Sequence, residues 1–255
     1  MTAYQFEIQH IHQTFHKGTA NEHHVLKGID LKVKKGDFIC LIGGNGSGKS
    51  TLLNAISGSF PIDEGKLLLK QKEIQSLKEY QRAKFIGRVF QDPNLGTSPR
   101  MTIAENLSIA QKRGAKRSFI KRATSSNAVK QFSKEVEMLE LGLENRLNTE
   151  IGLLSGGQRQ AITLLMSVLQ KPELLLLDEH TAALDPKIAK FIMKKTNELI
   201  TKQHLTAMMV THNLQDALSY GNRLIMMQAG KIVLDLNQTE KEKMTVEELY
   251  QLFSQ

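Results

Sequence analysis

With 255 residues, 40% of them hydrophobic and 24% charged, the chain is long and apolar enough for a globular protein with a sizeable core. No run approaches ~18 uninterrupted apolar residues, so no membrane-spanning helix is expected, and 5% aromatic residues without tryptophan offer no platform for stacking nucleic-acid bases. The formal net charge of +8 suits contact with nucleotides, anionic lipid headgroups or nucleic acid, and does not choose between them.

Strand patterns dominate the amino-terminal part of the chain. Residues 1–10 show neither the basic flank nor the apolar stretch of a secretion signal. Alternating apolar and polar side chains predict a half-buried strand over residues 4–15. A second strand is expected over residues 25–33, before a turn at residues 35–37.

The next strand, predicted over residues 38–42, contains the one cysteine of the chain, Cys40. A single cysteine excludes an internal disulfide, and a free cysteine in an apolar strand is expected in the core. Together with the lack of a secretion signal, this composition predicts a cytoplasmic protein.

A glycine-rich loop joins this strand to a helical pattern that should end near Gly58. Its glycines allow backbone N–H groups to turn toward phosphate oxygens, and the helix N-terminus adds a partial positive charge. Lys49 is expected to reach the β- and γ-phosphates of a nucleotide, and the Ser50 hydroxyl to hold Mg2+. A glycine-rich turn that binds nothing would not need this Lys–Ser pair. The predicted nucleotide-binding residues are Gly43, Asn45, Gly46, Ser47, Gly48, Lys49, Ser50 and Thr51.

The character of the chain changes after two further strands, expected over residues 66–70 and 85–90. Helical signals begin near residue 100, with a capping-box start at Thr102 and an amphipathic run over residues 129–141. We expect this insert to form a separate helical subdomain.

A basic segment lies inside the insert. A solvated face is its plainest interpretation, although its position also allows contact with a permease or anionic headgroups, and nucleic-acid binding is a third alternative. Its cations are Lys112, Arg113, Lys116, Arg117, Lys121 and Arg122.

A second glycine-rich helix start follows the insert at residues 154–158, Leu-Ser-Gly-Gly-Gln. Ser155 and Gln158 form a capping-box pattern, which explains those two residues. It does not explain Gly156 and Gly157, because each glycine is unfavourable in a first helical turn. A helix N-terminus bared by glycine is an anion site, and one chain cannot easily aim two such sites at one triphosphate. We therefore expect this second site to serve a partner's nucleotide.

Two carboxylates close the apolar strand predicted over residues 174–177. Ligands of α/β sheets bind at the carboxyl ends of the strands, so Asp178 and Glu179 should lie near the glycine-rich loop. Asp178 suits the Mg2+ shell, and Glu179 suits the orientation of an attacking water. His212, after the strand expected over residues 205–211, is placed to contact the γ-phosphate. The alternatives are an exposed strand end for the carboxylates and a structural role for the histidine.

The carboxyl-terminal elements complete an α/β pattern. Pro186 at a first helical turn predicts a helix to about residue 202. A hairpin is expected from residues 223–228 and 231–236, and a last helix over residues 246–253. Alternating strands and helices favour a mostly parallel central sheet.

The order of these motifs resembles the nucleotide-binding subunit of an ATP-binding cassette (ABC) transporter over nearly the whole chain. The resemblance implies an α/β P-loop NTPase core with a mostly parallel central sheet, an N-terminal antiparallel β subdomain and an inserted α-helical subdomain. It implies one domain over residues 1–255, with the core at about 1–91 and 160–255 and the helical subdomain at about 92–159. The segments that carry it are residues 43–51, Gln91, residues 154–158, residues 174–179, residues 182–185 and His212.

The resemblance also implies roles for residues that the patterns alone leave unassigned. It implies a homodimer that sandwiches two ATP molecules, each between the Lys49 loop of one copy and the helix tip of the other at Ser155, Gly156, Gly157 and Gln158. Gln91 resembles the lid-loop glutamine that touches Mg2+ and reports to the membrane subunit. Phe15 resembles the aromatic residue that stacks on adenine, and would otherwise be a core residue. Asp185 resembles the acid that communicates across the dimer.

One position departs from the family pattern, because His180 stands where a proline usually follows the catalytic glutamate. The flanking residues are intact, so we expect activity to be retained. The loop start at residues 43–45 and the insert at residues 100–106 are similar to a bacterial subgroup of uptake ATPases often assigned to amino acids.

The expected function is therefore ATP hydrolysis that powers import of a small solute by a separate membrane permease, from the cytoplasmic face of the plasma membrane. An extracytoplasmic solute-binding protein is an expected partner, and nucleic acid is not. An exporter ATPase and a soluble ATPase of iron–sulfur cluster assembly are alternatives. One P-loop argues against a two-cassette translation factor, and the lack of sustained heptads between Thr51 and Ser155 argues against a DNA-repair ATPase.

Overall fold

The computed structural model describes residues 4–114 and 126–253, and these residues form two sheets surrounded by helices. The strands are β1 Phe6–Phe15, β2 His23–Val33, β3 Phe38–Ile42, β4 Glu64–Leu69, β5 Lys72–Glu73, β6 Ile86–Val89, β7 Leu174–Asp178, β8 Ala207–Val210, β9 Arg223–Gln228 and β10 Lys231–Leu236. The α-helices are α1 Lys49–Ser57, α2 Glu79–Arg82, α3 Ile103–Gln111, α4 Ser126–Glu137, α5 Gly156–Val168, α6 Pro186–Gln203, α7 Leu214–Ser219, α8 Gln238–Lys241 and α9 Val246–Phe253.

The central sheet has the strand order β10-β9-β3-β8-β7-β6. All neighbours from β9 to β6 are parallel, and β10 is antiparallel to β9. The α/β fold with a mostly parallel sheet is therefore confirmed. Because β3, β7 and β8 are parallel neighbours, their carboxyl ends lie at one edge of the sheet, where the predicted ligand-binding residues follow them.

The second sheet is antiparallel, with the order β2-β1-β4-β5, and confirms the N-terminal β subdomain. The central strand β3 shows how the two sheets pack together. In β3, Ile39 and Leu41 face a core shared with the antiparallel sheet and α1, whereas Cys40 and Ile42 face a core closed by helices on the other side. Both faces are buried, which is why this strand is uniformly apolar.

The helical part has its own core, which confirms an inserted α-helical subdomain. Leu107 of α3 and Phe132 of α4 pack against Ile162 of α5, while Leu164 on the opposite face of α5 packs on the central sheet. α5 contributes to both cores. We therefore propose that the helical subdomain, over about residues 92–159, ends within this helix. Among the described helices, none is both long and apolar enough to cross a membrane.

The basic segment of residues 112–122 lies mostly outside the described residues. Arg113 is described, and it corrects the expected solvated face at that position. Its side chain donates to the backbone oxygen of Ser167 at 3.1 Å, and burial lowers the pKa of its guanidinium below the ordinary value. Arg113 therefore ties the end of α3 to α5.

Candidate nucleotide-binding site

The glycine-rich loop between β3 and α1 has a backbone that requires glycine at particular positions. A Cβ at Gly43 would lie 2.2 Å from the backbone oxygen of Met227, which no side chain could tolerate. Gly48 is the N-cap of α1 with φ 102°, in the left-handed region that favours glycine. These glycines let the loop turn sharply onto the first turn of α1, whose N–H groups form an anion site.

Lys49 is held inside this loop, with the residue only 5% exposed. Its Nζ donates to the backbone oxygens of Gly43 at 2.8 Å and Gly44 at 3.0 Å. Burial lowers the pKa of Lys49 below its ordinary value, and the charges of Glu179 and Asp178 act to raise it. The ammonium group is thus placed under the loop by backbone oxygens, which a phosphate oxygen can replace as acceptors.

Two oxygens from distant parts of the chain meet beside the loop. The Ser50 hydroxyl lies 3.4 Å from Oδ1 of Asp178, at the end of β7. Mg2+ prefers such hydroxyl and carboxylate oxygens and keeps water in its remaining positions. The residues therefore fit a magnesium site.

Glu179 and His212 meet at the same edge of the sheet. Nε2 of His212 lies 2.6 Å from Oε1 of Glu179, whose side chain is only 14% exposed. Glu179 has φ 44°, a left-handed conformation that is uncommon for a residue with a side chain. Its N–H donates to the backbone oxygen of Val210 at 3.2 Å, which ties this residue to the end of β8.

A cleft of about 360 Å3 brings these groups together. Phe15 and His23, cross-strand partners on β1 and β2, form one wall of it, and Phe15 packs edge-to-face on Phe60 with ring centroids 5.3 Å apart. The predicted adenine-stacking residue therefore lies on the cleft wall. The cleft is lined by Phe15, His23, Val25, Asn45, Gly46, Gly48, Lys49, Ser50, Thr51, Glu179 and His212.

The remaining predicted residues do not line that cleft. Ser155 is the N-cap of α5, in a capping box with Gln158, and both Ser155 and Gly156 are exposed. Asp185 caps α6 by accepting from the N–H of Ile188 at 3.1 Å. Gln91 is exposed two residues beyond β6. The helix tip of residues 155–158 is thus not part of the lining of the cleft that contains Lys49.

Arg88 is a site residue that the sequence analysis missed. Its Nη2 lies 3.4 Å from Oδ2 of Asp178 and donates to Oδ1 of Asn54 at 2.6 Å. Its guanidinium also stacks on Phe90, 4.4 Å from the ring centroid. The available signal was an arginine inside an otherwise apolar strand, where a cation needs a partner.

The unusual His180 is buried, with 2% exposure. Its Nε2 lies 2.9 Å from the hydroxyl of Thr196 on α6. Burial lowers the pKa of His180 to about 4, so the ring is neutral near pH 7.

Comparisons with known proteins agree with this geometry. A family model described as ABC transporter matches residues 26–182. The chain is 41% identical to the tyrosine transport ATP-binding protein of Clostridioides difficile (strain R20291), over 97% of this chain and 98% of that protein. It is 34% identical to the bacitracin export ATP-binding protein BceA of Halalkalibacterium halodurans, over 94% of this chain and 91% of that protein.

A solved structure shows the same fold. The ATP-binding cassette MJ0796, in a dimeric post-hydrolysis state bound to ADP and Pi, superposes with a TM-score of 0.77 and 27% sequence identity. The alignment covers 91% of this chain and 98% of that one.

Proposed function

Because this chain belongs to the ABC transporter family, as an ATP-binding subunit, we propose that it hydrolyses ATP to power a separate membrane permease. One observation carries the proposal. The cleft of about 360 Å3 gathers Lys49, Ser50, Glu179 and His212, with Asp178 at 3.4 Å from the Ser50 hydroxyl. These are the groups that phosphoryl transfer needs, because its catalysis consists mainly of positioning and charge stabilisation.

The loop and its lysine bind the triphosphate in this proposal. Backbone N–H groups of residues 43–51 and the Lys49 ammonium contact the β- and γ-phosphates. Phe15 stacks on the adenine from the cleft wall. Ser50 and Asp178, with Gln91 from the neighbouring strand end, hold Mg2+. That ion, when bound, neutralises charge on the phosphate oxygens.

Glu179 and His212 act on the reacting end of the nucleotide. The Glu179 carboxylate orients the attacking water and accepts a hydrogen bond from it. Nε2 of His212 lies 2.6 Å from Oε1 of Glu179 in this structure, and we propose that the γ-phosphate becomes the partner of His212 when ATP is bound. The low exposure of Glu179 limits the number of waters that compete for its oxygens.

A second copy of the chain completes each site. Ser155 and the first residue of α5, Gly156, are exposed and do not line the chain's own cleft, and the first turn of a helix leaves N–H groups without intrahelical partners. We propose that these groups, with Gly157 and Gln158, bind the γ-phosphate held by the other copy, and that Asp185 contacts that copy. The dimeric MJ0796 cassette with ADP and Pi supports this arrangement.

The most specific part of the proposal concerns the permease partner and the transported solute. We propose that the subunit works at the cytoplasmic face of the plasma membrane, against permease subunits near Gln91, with an extracytoplasmic solute-binding protein in the same system. The relative named for tyrosine transport supports an amino acid as cargo. The relative named for bacitracin export supports an exporter ATPase as the second candidate. These transport relatives favour both over an iron–sulfur assembly ATPase.

The direct test measures phosphate release by the purified chain and by its Glu179→Gln variant. We expect the variant to bind ATP with wild-type affinity and to lose at least about 100-fold in turnover, because general-base assistance is removed. Co-purification with a permease, followed by uptake of labelled amino acids into vesicles, distinguishes import from export. Normal hydrolysis by Glu179→Gln would contradict the role given to Glu179.

A further inference from the structure

The hydrogen bond between His180 and Thr196 has a defined direction. The Thr196 hydroxyl lies 2.8 Å from the backbone oxygen of Ile192, which can only accept. A hydroxyl has one proton, so Thr196 donates it to Ile192 and has only lone pairs left for His180. With that proton engaged, Nε2 of His180 is assigned as the donor over the 2.9 Å contact. This assignment corresponds to the Nε2–H tautomer of the ring.

This bond anchors the residue next to Glu179. His180 and Thr196 are 2% and 0% exposed, so neither can exchange its partner for water without local opening. Glu179 itself has a left-handed backbone, which persists only when its surroundings hold it. Its N–H is bonded to Val210, and its backbone oxygen accepts from Ala182 at 2.9 Å. The His180 side chain adds the link from this turn to a helix.

The N-cap of that helix is Asp185, which the proposed function assigns to the dimer contact. Resting on that proposed function, we infer that His180 is a positioning residue: its hydrogen bond to Thr196 ties the Glu179 turn to α6, so that the carboxylate and the interface residue move as one unit. A proline at this position has neither an N–H nor a polar side chain, so it cannot make the bond. The link is thus a property of this chain rather than of the family pattern.

The test compares substitutions of Thr196 that differ in one hydroxyl. Thr196→Val removes the acceptor and keeps the shape, whereas Thr196→Ser keeps the hydroxyl. The matched control is Thr206→Val, at the amino end of β8. Thr206 is also buried, and its hydroxyl accepts from the N–H of Gly36 at 3.0 Å. Both valine variants leave one donor without its partner, but only the first touches the Glu179 turn.

We expect kcat to fall about 10-fold or more in Thr196→Val, since small displacements of a catalytic group are costly. KM and the dissociation constant for ATP should stay within about 2-fold, because the Lys49 loop is untouched. Thr196→Ser and Thr206→Val should hydrolyse ATP at the wild-type rate. The double variant His180→Phe/Thr196→Val should be no slower than the slower single variant, since both changes break one bond. A wild-type rate in Thr196→Val, an equal loss in Thr196→Ser or Thr206→Val, or losses that multiply would overturn the inference.

A second readout does not depend on hydrolysis. Nitrogen-15 NMR of histidine-labelled protein should show His180 protonated at Nε2 only. The ring signals of His212, which contacts Glu179, should shift in Thr196→Val and stay in place in Thr206→Val. If the wild type hydrolyses no ATP while these shifts appear, the proposed function fails and the link stands. Unmoved His212 signals in Thr196→Val contradict the link whatever the ATPase result.

Discussion

The Lys49 loop and the helix tip of residues 155–158 are both helix N-termini bared by glycine, yet their surroundings differ. The loop lies between the two sheets, where Lys49 is 5% exposed and two carboxylates lie beside it. The tip exposes Ser155 and Gly156, and neither lines the cleft that contains Lys49. The same kind of anion site is therefore combined with a buried lysine and two carboxylates at the loop, whereas at the tip it faces solvent. We propose that the ligand of the tip is held by a second copy of the chain.

The largest expected effect comes from removing the positive charge of the Lys49 loop. Lys49→Ala should lower ATP hydrolysis by at least about 100-fold, because a preorganised cation at the transferring phosphate is lost. The exposed Lys72 on the outer strand β5 gives the matched control, since Lys72→Ala removes an equal charge from a residue that does not line the cleft. A coupled phosphate-release assay measures both variants. Comparable rates for the two would erase the distinction between the loop and the rest of the surface.

A mixing experiment tests whether the helix tip of residues 155–158 belongs to the nucleotide site of the other copy. Ser155→Arg should fold and lose hydrolysis, because its bulk blocks the tip. A one-to-one mixture with Lys49→Ala should regain about a quarter of the wild-type rate, since half the dimers are mixed and each has one intact site. Mixing two batches of the same variant is the control. No recovery in the mixture would mean that both residues serve one site within one chain.

The two glycines of the tip should differ in how much an alanine substitution lowers the free energy of unfolding. A Cβ at Gly157 would lie 2.3 Å from Cγ2 of Ile188, whereas one at Gly156 would lie 3.7 Å from Leu184. We expect Gly157→Ala to be at least about 1 kcal/mol less stable than Gly156→Ala in urea unfolding, because of overpacking against α6. Gly156→Ala should unfold like the wild type. Equal midpoints would show that α6 yields freely at this contact.

The smallest effect concerns the rate of thiol alkylation at Cys40, in the strand before the loop, and at position 155 in the helix tip. Burial raises the pKa of Cys40 to about 12, so its thiol stays protonated in the fold. Its stabilising contribution is present below pH 9 and is lost as pH rises toward 12. Iodoacetamide at pH 8 should therefore leave native Cys40 unmodified and label it in denaturant, while the exposed thiol of Ser155→Cys reacts at once. Rapid labelling of native Cys40 would contradict its burial in β3.

Local patterns predicted much of the fold because their causes are local. Pro186 in a first helical turn, the hairpin of β9 and β10, and the end of α1 at Gly58 are all confirmed. The short α2, α7 and α8 were not predicted, since four to six residues leave no period to detect.

Contacts between residues distant in sequence limited how much of the site could be predicted. The strand-end rule predicted that Asp178 and Glu179 lie near the glycine-rich loop, and the structure brings Asp178 to Ser50 and Glu179 to His212. It gave no means of placing Arg88 against Asp178, because that contact depends on which strand neighbours β7. The fully buried Arg82 is similar: it donates to backbone oxygens at the end of α1 from 26 and 27 positions along the chain.

The most direct test of the shared site is sedimentation velocity of Glu179→Gln with and without ATP and magnesium. We predict a monomer without nucleotide and a dimer holding two ATP molecules when nucleotide is present. The same protein with Ser155→Arg added should stay monomeric at every ATP concentration that saturates the cleft. A nucleotide-saturated Glu179→Gln protein that remains monomeric, or a dimer that forms equally well with Ser155→Arg, would contradict the account.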